Sequence, residues 1–135
     1  MASNGIVLKK PTFIKVDQLQ PDSRGVNVIL KVKTSHTKLE KDRQDGSKMR
    51  IGEAIAGDDT GMVTLTLRGE QIETCQPGKT IVVRNGKIQM FKGHIRLEVD
   101  KWGKIVQAEE EAKFEINEGN DVSSTEYELV TINEG

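Results

Sequence analysis

The sequence contains few aromatic residues and a single cysteine. Three phenylalanines, one tryptophan and one tyrosine among 135 residues leave the hydrophobic core to be built almost entirely from aliphatic side chains. The lone cysteine, Cys75, excludes an internal disulfide and a zinc site built on cysteines, and it is typical of a reducing compartment. We expect Cys75 to behave as a small buried hydrophobic residue.

Long apolar runs are also absent. No stretch approaches the roughly 20 apolar residues that span a bilayer. The initial segment MASNGIVLKKPTF lacks the apolar stretch of a secretory signal. These features predict a soluble intracellular protein with no membrane partner, and they leave nucleus and cytoplasm both open.

The sequence shows no recognisable catalytic or metal-binding pattern. The two histidines, His36 and His94, do not have the spacing of metal ligands, and there is no phosphate-binding glycine motif. Asp58 and Asp59 lie in the segment GDDTG, which favours a hairpin turn in which adjacent side chains point apart. We therefore predict a non-enzyme with no cofactor and no metal.

The small net charge of −1 conceals a strong segregation of charge. Residues 1–108 hold 19 Lys or Arg and 12 Asp or Glu, whereas residues 109–135 hold one Lys and nine Asp or Glu. A basic body of this kind attracts polyanions. The alternative is an ordinary solvated surface followed by a solubilising acidic tail.

The pattern of apolar residues predicts strands rather than long helices. Apolar and polar residues alternate from Val26 to Lys33 and again from Val63 to Arg68, and GDDTG separates two predicted strands within 49–69. Residues 70–75 suit a short helix. About five strands with turn signals between them indicate a small all-β barrel or sandwich, and a short helix between strands 3 and 4 is typical of a five-stranded Greek-key OB-fold barrel.

The chain divides into three predicted parts. Residues 1–11 form a flexible leader, residues 12–108 form the barrel domain, and residues 109–135 form an acidic tail that we expect to be mostly disordered. Within the tail, TEYELVTI at 125–132 suits either a short strand or a docking peptide. The tail either recruits a protein complex or occupies the basic surface of the body in competition with a polyanionic ligand such as nucleic acid.

A hairpin predicted over NGKIQMFKGHIRLEV, residues 85–99, places one of the rare aromatic residues on its polar side. Ile88 and Met90 have the phase of one face, and Phe91 has the phase of Lys87 and Gln89 on the other. Phe91 is therefore either an exposed ring that meets a ligand or an aromatic that packs over the end of the barrel. Trp102, in KWGKI, is expected to cap the barrel.

Two stretches, GEAIAGDDTGMVTLTLRGEQI and PGKTIVVRNGKIQMFKGHIRLEVDKWGKI, resemble the OB-fold domain of simple single-stranded DNA-binding proteins. The similarity is to the archaeal replication-protein-A-like type and the type found in the eukaryotic SOSS complex, and among eukaryotes most of all to small uncharacterised plant members. It covers about residues 12–107, and it implies that residues 12–108 form an OB-fold nucleic-acid-binding domain. The resemblance implies a barrel that binds single strands across strands 2 and 3, between the loops that join strands 1–2 and 4–5.

The resemblance also implies a role for Phe91 and shows three positions at which this sequence departs from the family. It places Phe91 at a base-stacking position. At three positions where the family commonly has aromatic residues, this sequence has Arg68, Lys87 and Glu98. An arginine can stack on bases, a lysine supplies only charge, and Glu98 would repel phosphate. The resemblance therefore implies weaker and more salt-sensitive binding, or a shift towards RNA or specialised single strands.

The predicted function is non-enzymatic binding of single-stranded DNA or RNA. The alternative is a protein-interaction adaptor that keeps the barrel and has lost most of its stacking face. For Arg68, pairing with Glu70 or Glu98 is an equal alternative to nucleic-acid contact. The candidate nucleic-acid-binding residues are Phe91, Arg68, Lys92, Lys87, Arg96, Thr66, Arg50, Lys48 and Lys38.

Overall fold

A computed structural model of the chain describes residues 11–128 and residue 130. The strands are β1 (Arg24–Asp42), β2 (Lys48–Asp58), β3 (Gly61–Arg68), β4 (Thr80–Phe91), β5 (His94–Glu98) and β6 (Lys104–Gln107). A short helix α1 (Gln71–Thr74) joins β3 to β4, and two 3-10 helices lie at Val16–Gln18 and Val122–Ser124. No helix in the described ranges is long and apolar enough to cross a membrane. The predicted leader lies outside these ranges except for Pro11.

The strands form one sheet that closes on itself. Its order is β1-β2-β3-β5-β4-β6, and β1 pairs with β4 as well as with β2. The β3–β5 pair is parallel, and the other strand pairs are antiparallel. This confirms the predicted OB fold, with its short helix between strands 3 and 4. The short strand β6, which pairs with the first half of β4, is an addition to the five predicted strands.

Strand β1 closes the barrel because it is long and bent. Its first part pairs with β4 as far as Lys31, and its second part pairs with β2 from Lys31 to Asp42. Irregularities in the register follow Val32 and Thr37, where an extra residue lets the strand turn. One strand can therefore serve two neighbours on different sides of the barrel.

The barrel interior is aliphatic, as the scarcity of aromatics predicts. The largest fully buried hydrophobic side chains are valines, leucines and isoleucines, namely Val16, Val28, Leu30, Val32, Val63, Leu65, Leu67, Ile81, Val83, Ile95 and Leu97. Cys75 is fully buried beside this core, and desolvation raises the pKa of its thiol to about 12. The thiol is therefore neutral and behaves as the small hydrophobic residue that we predicted.

The GDDTG segment forms the predicted hairpin turn, and its first aspartate is structural. Asp58 pairs with Gly61 across the turn and is fully buried. Its carboxylate accepts hydrogen bonds from the backbone N–H of Val16 at 3.0 Å and from the N–H and hydroxyl of Thr60 at 2.8 and 2.6 Å. Asp58 thus attaches the segment before β1 to the β2–β3 turn. No group of three possible metal-ligating side chains occurs within residues 11–128.

The described part of the acidic tail runs over the surface of the barrel with little regular structure. It contacts the barrel at several points: Ala112 N–H donates to the Thr80 hydroxyl, and Asn120 C=O accepts from Met62 N–H. Near its end, Tyr127 N–H donates to Gly93 C=O at 2.7 Å. Regular structure is limited to one bridge and one 3-10 helix. The predicted docking segment 125–132 lies partly outside the described residues.

One residue of the tail supplies hydrogen-bond partners at the point where β3 and β5 separate. The Ser123 hydroxyl accepts a hydrogen bond from Thr64 N–H at 2.8 Å and donates one to Ile95 C=O at 2.6 Å. Val122 packs against the hydrophobic core. Buried backbone groups need partners, and Ser123 supplies them where the parallel pair of strands ends.

Candidate nucleic-acid interface

One face of the barrel carries a row of polar side chains that crosses five strands. The register places each residue of the row directly opposite the next, in the order His36, Glu53, Thr66, Glu98, Lys87. Their strand neighbours Ala54, Leu65 and Leu97 are buried in the core, so alternation puts the row on the outer surface. We call this row and its outer neighbours the charged face.

Phe91 lies at one end of the charged face, on the β4–β5 hairpin. The ring is 46% exposed. Lys92 and Gly93 form the turn with φ values of 51° and 84°, as expected for a two-residue hairpin turn in which both residues have positive φ. The guanidinium carbon of Arg96 lies 4.1 Å from the ring centroid, and the Lys92 ammonium lies 5.4 Å from it. A half-exposed ring therefore has two cations within cation–π distance of its centroid.

Two glutamates of the row are held by pairs of cations. Glu53 lies 2.9 Å from an Arg96 guanidinium nitrogen and 3.4 Å from the Lys38 ammonium. Arg96 reaches Glu53 from β5 across the small side chains of β3, of which Thr66 is one. Glu53 therefore neutralises part of the charge of two candidate phosphate-binding residues.

Glu98 has the same arrangement further along the row. Its two carboxylate oxygens lie 3.6 Å from the Arg68 guanidinium and 3.6 Å from the Lys87 ammonium, which also lies 3.5 Å from Asp100. The pKa of the Asp100 carboxyl is lowered, first by the backbone N–H of Trp102 and then by Lys87. The three positions where the resemblance implies aromatic residues are thus neighbours, and here they form an ion-pair network.

Trp102 differs from its predicted role. We expected it to cap the barrel, but its side chain is 74% exposed, on the turn between β5 and β6. The turn is fixed by Trp102 N–H, which donates to Asp100 at 2.9 Å, and by Asn85, whose side chain donates to Trp102 C=O at 2.9 Å. Trp102 lines an open cleft of about 300 Å³ together with Lys87 and Asp100.

The exposure of Trp102 identifies a candidate residue that sequence reasoning missed. The signal was present in the order DKWG. The tryptophan lies between a lysine and a glycine in a turn, where few apolar neighbours can cover a large ring. In the structure the Lys101 ammonium lies 5.1 Å from the ring centroid. The charged face therefore has an exposed aromatic ring near each end, Phe91 on the β4–β5 turn and Trp102 on the β5–β6 turn.

The structure brings seven of the nine candidate residues together on the charged face and places the other two at its edge. Phe91, Lys92, Lys87, Arg96, Arg68, Thr66 and Lys38 belong to the charged face. Arg50 and Lys48 lie beside its edge, where they line a cleft of about 240 Å³ with Arg68. The Arg50 guanidinium, however, is paired with Glu73 of α1, at 3.0 Å for one of the two contacts, and this hydrogen bond raises the pKa of Arg50.

Comparison with known sequences finds the relatives that the resemblance implies. The uncharacterized protein At4g28440 of Arabidopsis thaliana is 38% identical over 135 aligned residues, which cover 93% of this chain and 88% of that protein. The single-stranded DNA binding protein Ssb of Saccharolobus solfataricus is 33% identical over 97 residues, which cover 72% of this chain and 65% of that protein.

Solved structures agree with the sequence relatives. The solution structure of the hypothetical protein F20O9.120 from Arabidopsis thaliana matches with a TM-score of 0.74 and 36% identity, over 98% of this chain and 97% of that one. The OB domain of Ta0387 from Thermoplasma acidophilum matches with a TM-score of 0.61 over 78% of this chain and 94% of that one, and at 22% identity it supports the fold alone. The family described as single-stranded DNA binding protein Ssb-like, OB fold, matches residues 19–107. This chain therefore belongs to the Ssb-like family of OB-fold single-stranded DNA-binding proteins.

Proposed function

We propose that this protein binds single-stranded nucleic acid, DNA or RNA, across the charged face and catalyses no reaction. The observation that carries the proposal is the pair of exposed rings, Phe91 and Trp102, on a cation-lined face of a barrel from the Ssb-like family. Bases stack on such rings at roughly 1–3 kcal/mol each, and cations beside them contact phosphates. The name of the Saccharolobus solfataricus relative, single-stranded DNA binding protein, supports the same activity.

The size of the face suits a short stretch of strand. Asn85, which holds the Trp102 turn, is six residues before Phe91 on β4. At a rise of roughly 3.3 Å per residue the two turns are at most about 20 Å apart. OB folds bind about 4–16 nucleotides each, so we expect a site at the lower end of that range.

The ion pairs within the face make binding weak and sensitive to salt. Phosphates must compete with Glu53 and Glu98 for the cations that these carboxylates hold. If four or five cations contact phosphate, the slope of log affinity against log salt is about −3, from roughly −0.7 per contact on a single strand. The charged face therefore predicts tighter binding at low salt than under physiological conditions.

The chain offers a direct experiment because Trp102 is its only tryptophan. We expect oligo-dT or oligo-U to quench its fluorescence and to bind in an anisotropy titration. Trp102→Ala should weaken binding by roughly 5-fold to 150-fold if one stacked base is lost. Phe13→Ala is the matched control, since Phe13 is 42% exposed but lies outside the charged face, beside Arg84. Absence of both quenching and binding at low salt would contradict the proposal.

A protein-interaction adaptor is the second candidate, and one feature outside the charged face favours it. An apolar cleft of about 430 Å³ lies between the segment before β1 and the start of the tail, with Phe13, Ile29 and Phe114 in its lining. Phe13 and Ile29 are each about two-fifths exposed. Capture of a defined protein that is lost on Phe13→Ala, together with no binding of any oligonucleotide, would establish this function instead.

A further inference from the structure

Glu98 lies on the charged face, and phosphate binding does not explain the presence of a carboxylate there. Its side chain is only 11% exposed, whereas those of its two partners, Arg68 and Lys87, are 60% and 42% exposed. Both ion pairs measure 3.6 Å, which is longer than a normal hydrogen bond of about 2.9 Å. The two cations thus balance the charge of Glu98 while leaving its oxygens able to accept hydrogen bonds.

The other glutamate of the row is held more closely. One oxygen of Glu53 lies 2.9 Å from Arg96, and the other lies 3.4 Å from Lys38. The looser contacts of Glu98 and its greater burial favour Glu98 as the acceptor for a ligand, because a hydrogen bond to a carboxylate is stronger where water is excluded. Glu53 has the same chemistry and two cation partners of its own, so it provides a matched comparison.

The hydrogen-bonding pattern of a carboxylate selects among bases. On an unpaired base the Watson–Crick edge is free to be read. Guanine presents two adjacent donors there, N1–H and the N2 amino group, which match the two oxygens of one carboxylate. Cytosine and adenine present one amino donor beside a ring acceptor, and thymine and uracil present one N–H between two carbonyls. Guanine is therefore the base that pairs with a carboxylate in a bidentate way.

We infer that Glu98 is a specificity-determining residue that reads guanine in the bound strand. The inference rests on the proposed function. Arg68 and Lys87 turn their exposed ends towards phosphate or the plane of a base, and the Glu98 oxygens between them accept from guanine N1–H and N2–H. Thr66, directly opposite Glu98 on β3, leaves room beside it because its side chain is small. The protein thus prefers guanine-containing single strands to strands of thymine or uracil.

The first experiment varies the ligand and leaves the protein intact. Oligothymidylates of about 12 nucleotides, a length within the site range of one OB fold, are compared with the same strands carrying spaced guanines, inosines or 7-deazaguanines. Inosine lacks the N2 amino group but stacks like guanine, and 7-deazaguanine keeps both donors but cannot form quadruplexes. We expect guanine and 7-deazaguanine strands to bind about tenfold more tightly than oligothymidylate, the size of a bidentate base contact. Inosine strands should lose most of that gain.

The second experiment varies the carboxylate. Glu98→Gln replaces one acceptor with an amino group that opposes a guanine donor, so the preference for guanine over inosine should disappear. Glu53→Gln should keep that preference. A thermal unfolding curve for each variant establishes that the barrel is folded before binding is compared.

The possible outcomes distinguish failure of the guanine-reading inference from failure of the proposed single-strand binding. Equal affinities for guanine, inosine and thymine strands would overturn guanine reading and leave single-strand binding intact. Loss of the guanine preference in Glu53→Gln but not in Glu98→Gln would overturn the assignment to Glu98. Failure of every strand to bind at low salt would overturn the inference together with the proposed function.

Discussion

The guanidinium carbon of Arg96 lies 4.1 Å from the centroid of the Phe91 ring. The same guanidinium lies 2.9 Å from Glu53, two strands away. The Arg96 guanidinium thus contacts both a carboxylate and the aromatic ring. The ring keeps 46% of its surface exposed, so the contact orients Phe91 without covering it. An aromatic ring supported in this way loses little conformational freedom when a base stacks on it.

This relationship predicts a specific loss of binding in Phe91→Ala. We expect the affinity for single-stranded oligonucleotides to fall by roughly 5-fold to 150-fold, which corresponds to one stacked base at roughly 1–3 kcal/mol. Phe91→Tyr keeps the ring and should bind nearly as the parent does. Fluorescence anisotropy at low salt measures both. Unchanged affinity in Phe91→Ala, with a normal unfolding curve, would show that no base stacks there.

The sequence was sufficient to predict the barrel because its strands obey a local rule. From Val63 to Arg68 in β3 the inward positions Val63, Leu65 and Leu67 are apolar, and the outward positions between and after them are polar. The same alternation placed Phe91 on the outer side of its hairpin. The location of the charged face could be predicted by combining the resemblance with this alternation, because outward side chains on adjacent strands lie next to each other.

The position of Trp102 depends on contacts that no local pattern contains. Trp102 was expected to cap the barrel because its segment closes the fold, yet its turn is fixed by Asp100 and Asn85, and Asn85 is distant in sequence. The contacts of the tail could not be predicted either, because Ser123 bonds to backbone groups of β3 and β5 that only the folded barrel brings together.

The buried carboxylate of Asp58 predicts a large loss of stability in Asp58→Ala. The substitution leaves the backbone N–H groups of Val16 and Thr60 without their acceptor, and each unsatisfied buried group costs roughly 1–3 kcal/mol. We expect the free energy of unfolding to fall by about 2–4 kcal/mol, measured by urea denaturation. Asp59→Ala is the control, because Asp59 is exposed and pairs only with Lys15 within the described residues. Equal effects of the two substitutions would contradict a structural role specific to Asp58.

The buried thiol of Cys75 predicts a loss of stability at alkaline pH. Desolvation raises its pKa from 9.0 to about 12 in the folded protein. Between these values the unfolded chain loses a proton that the folded chain keeps, so the free energy of unfolding falls by about 1.4 kcal/mol per pH unit. The stabilisation that the protonated thiol gives the folded protein is fully present below about pH 9 and is lost as the pH rises towards 12.

The comparison that isolates this effect is Cys75→Val, which fills a similar volume and does not titrate. Urea unfolding at about pH 8 and about pH 10.5 should show a decrease for the parent that exceeds the decrease for the variant by about 1–2 kcal/mol. Other groups titrate in this pH range in both proteins, and their effects cancel when the decrease for the variant is subtracted from the decrease for the parent. Parallel decreases would mean that the thiol ionises as readily in the folded chain as in the unfolded one.

The path of the tail gives the competition between tail and nucleic acid a definite place. Tyr127 N–H binds Gly93 C=O in the turn that also contains Lys92 and follows Phe91. Glu126 and Glu128 flank Tyr127, and the Glu126 side chain lies beside Gly93, so this segment brings negative charge to the end of the charged face. Removal of the whole tail would also remove Ser123 and its contacts with β3 and β5. A change of charge is therefore a cleaner test than truncation.

We predict that the double substitution Glu126→Gln and Glu128→Gln strengthens binding of single-stranded oligonucleotides at low salt. Exposed charges contribute about 0.2–1 kcal/mol each, so the loss of two should raise the affinity by about twofold to thirtyfold, and the gain should vanish at high salt because the charges are screened. Glu109→Gln with Glu110→Gln changes the net charge equally at the other end of the described tail, which follows β6. A similar gain in affinity in that control would mean that net charge alone causes the effect. No gain in either variant would contradict competition between the tail and nucleic acid.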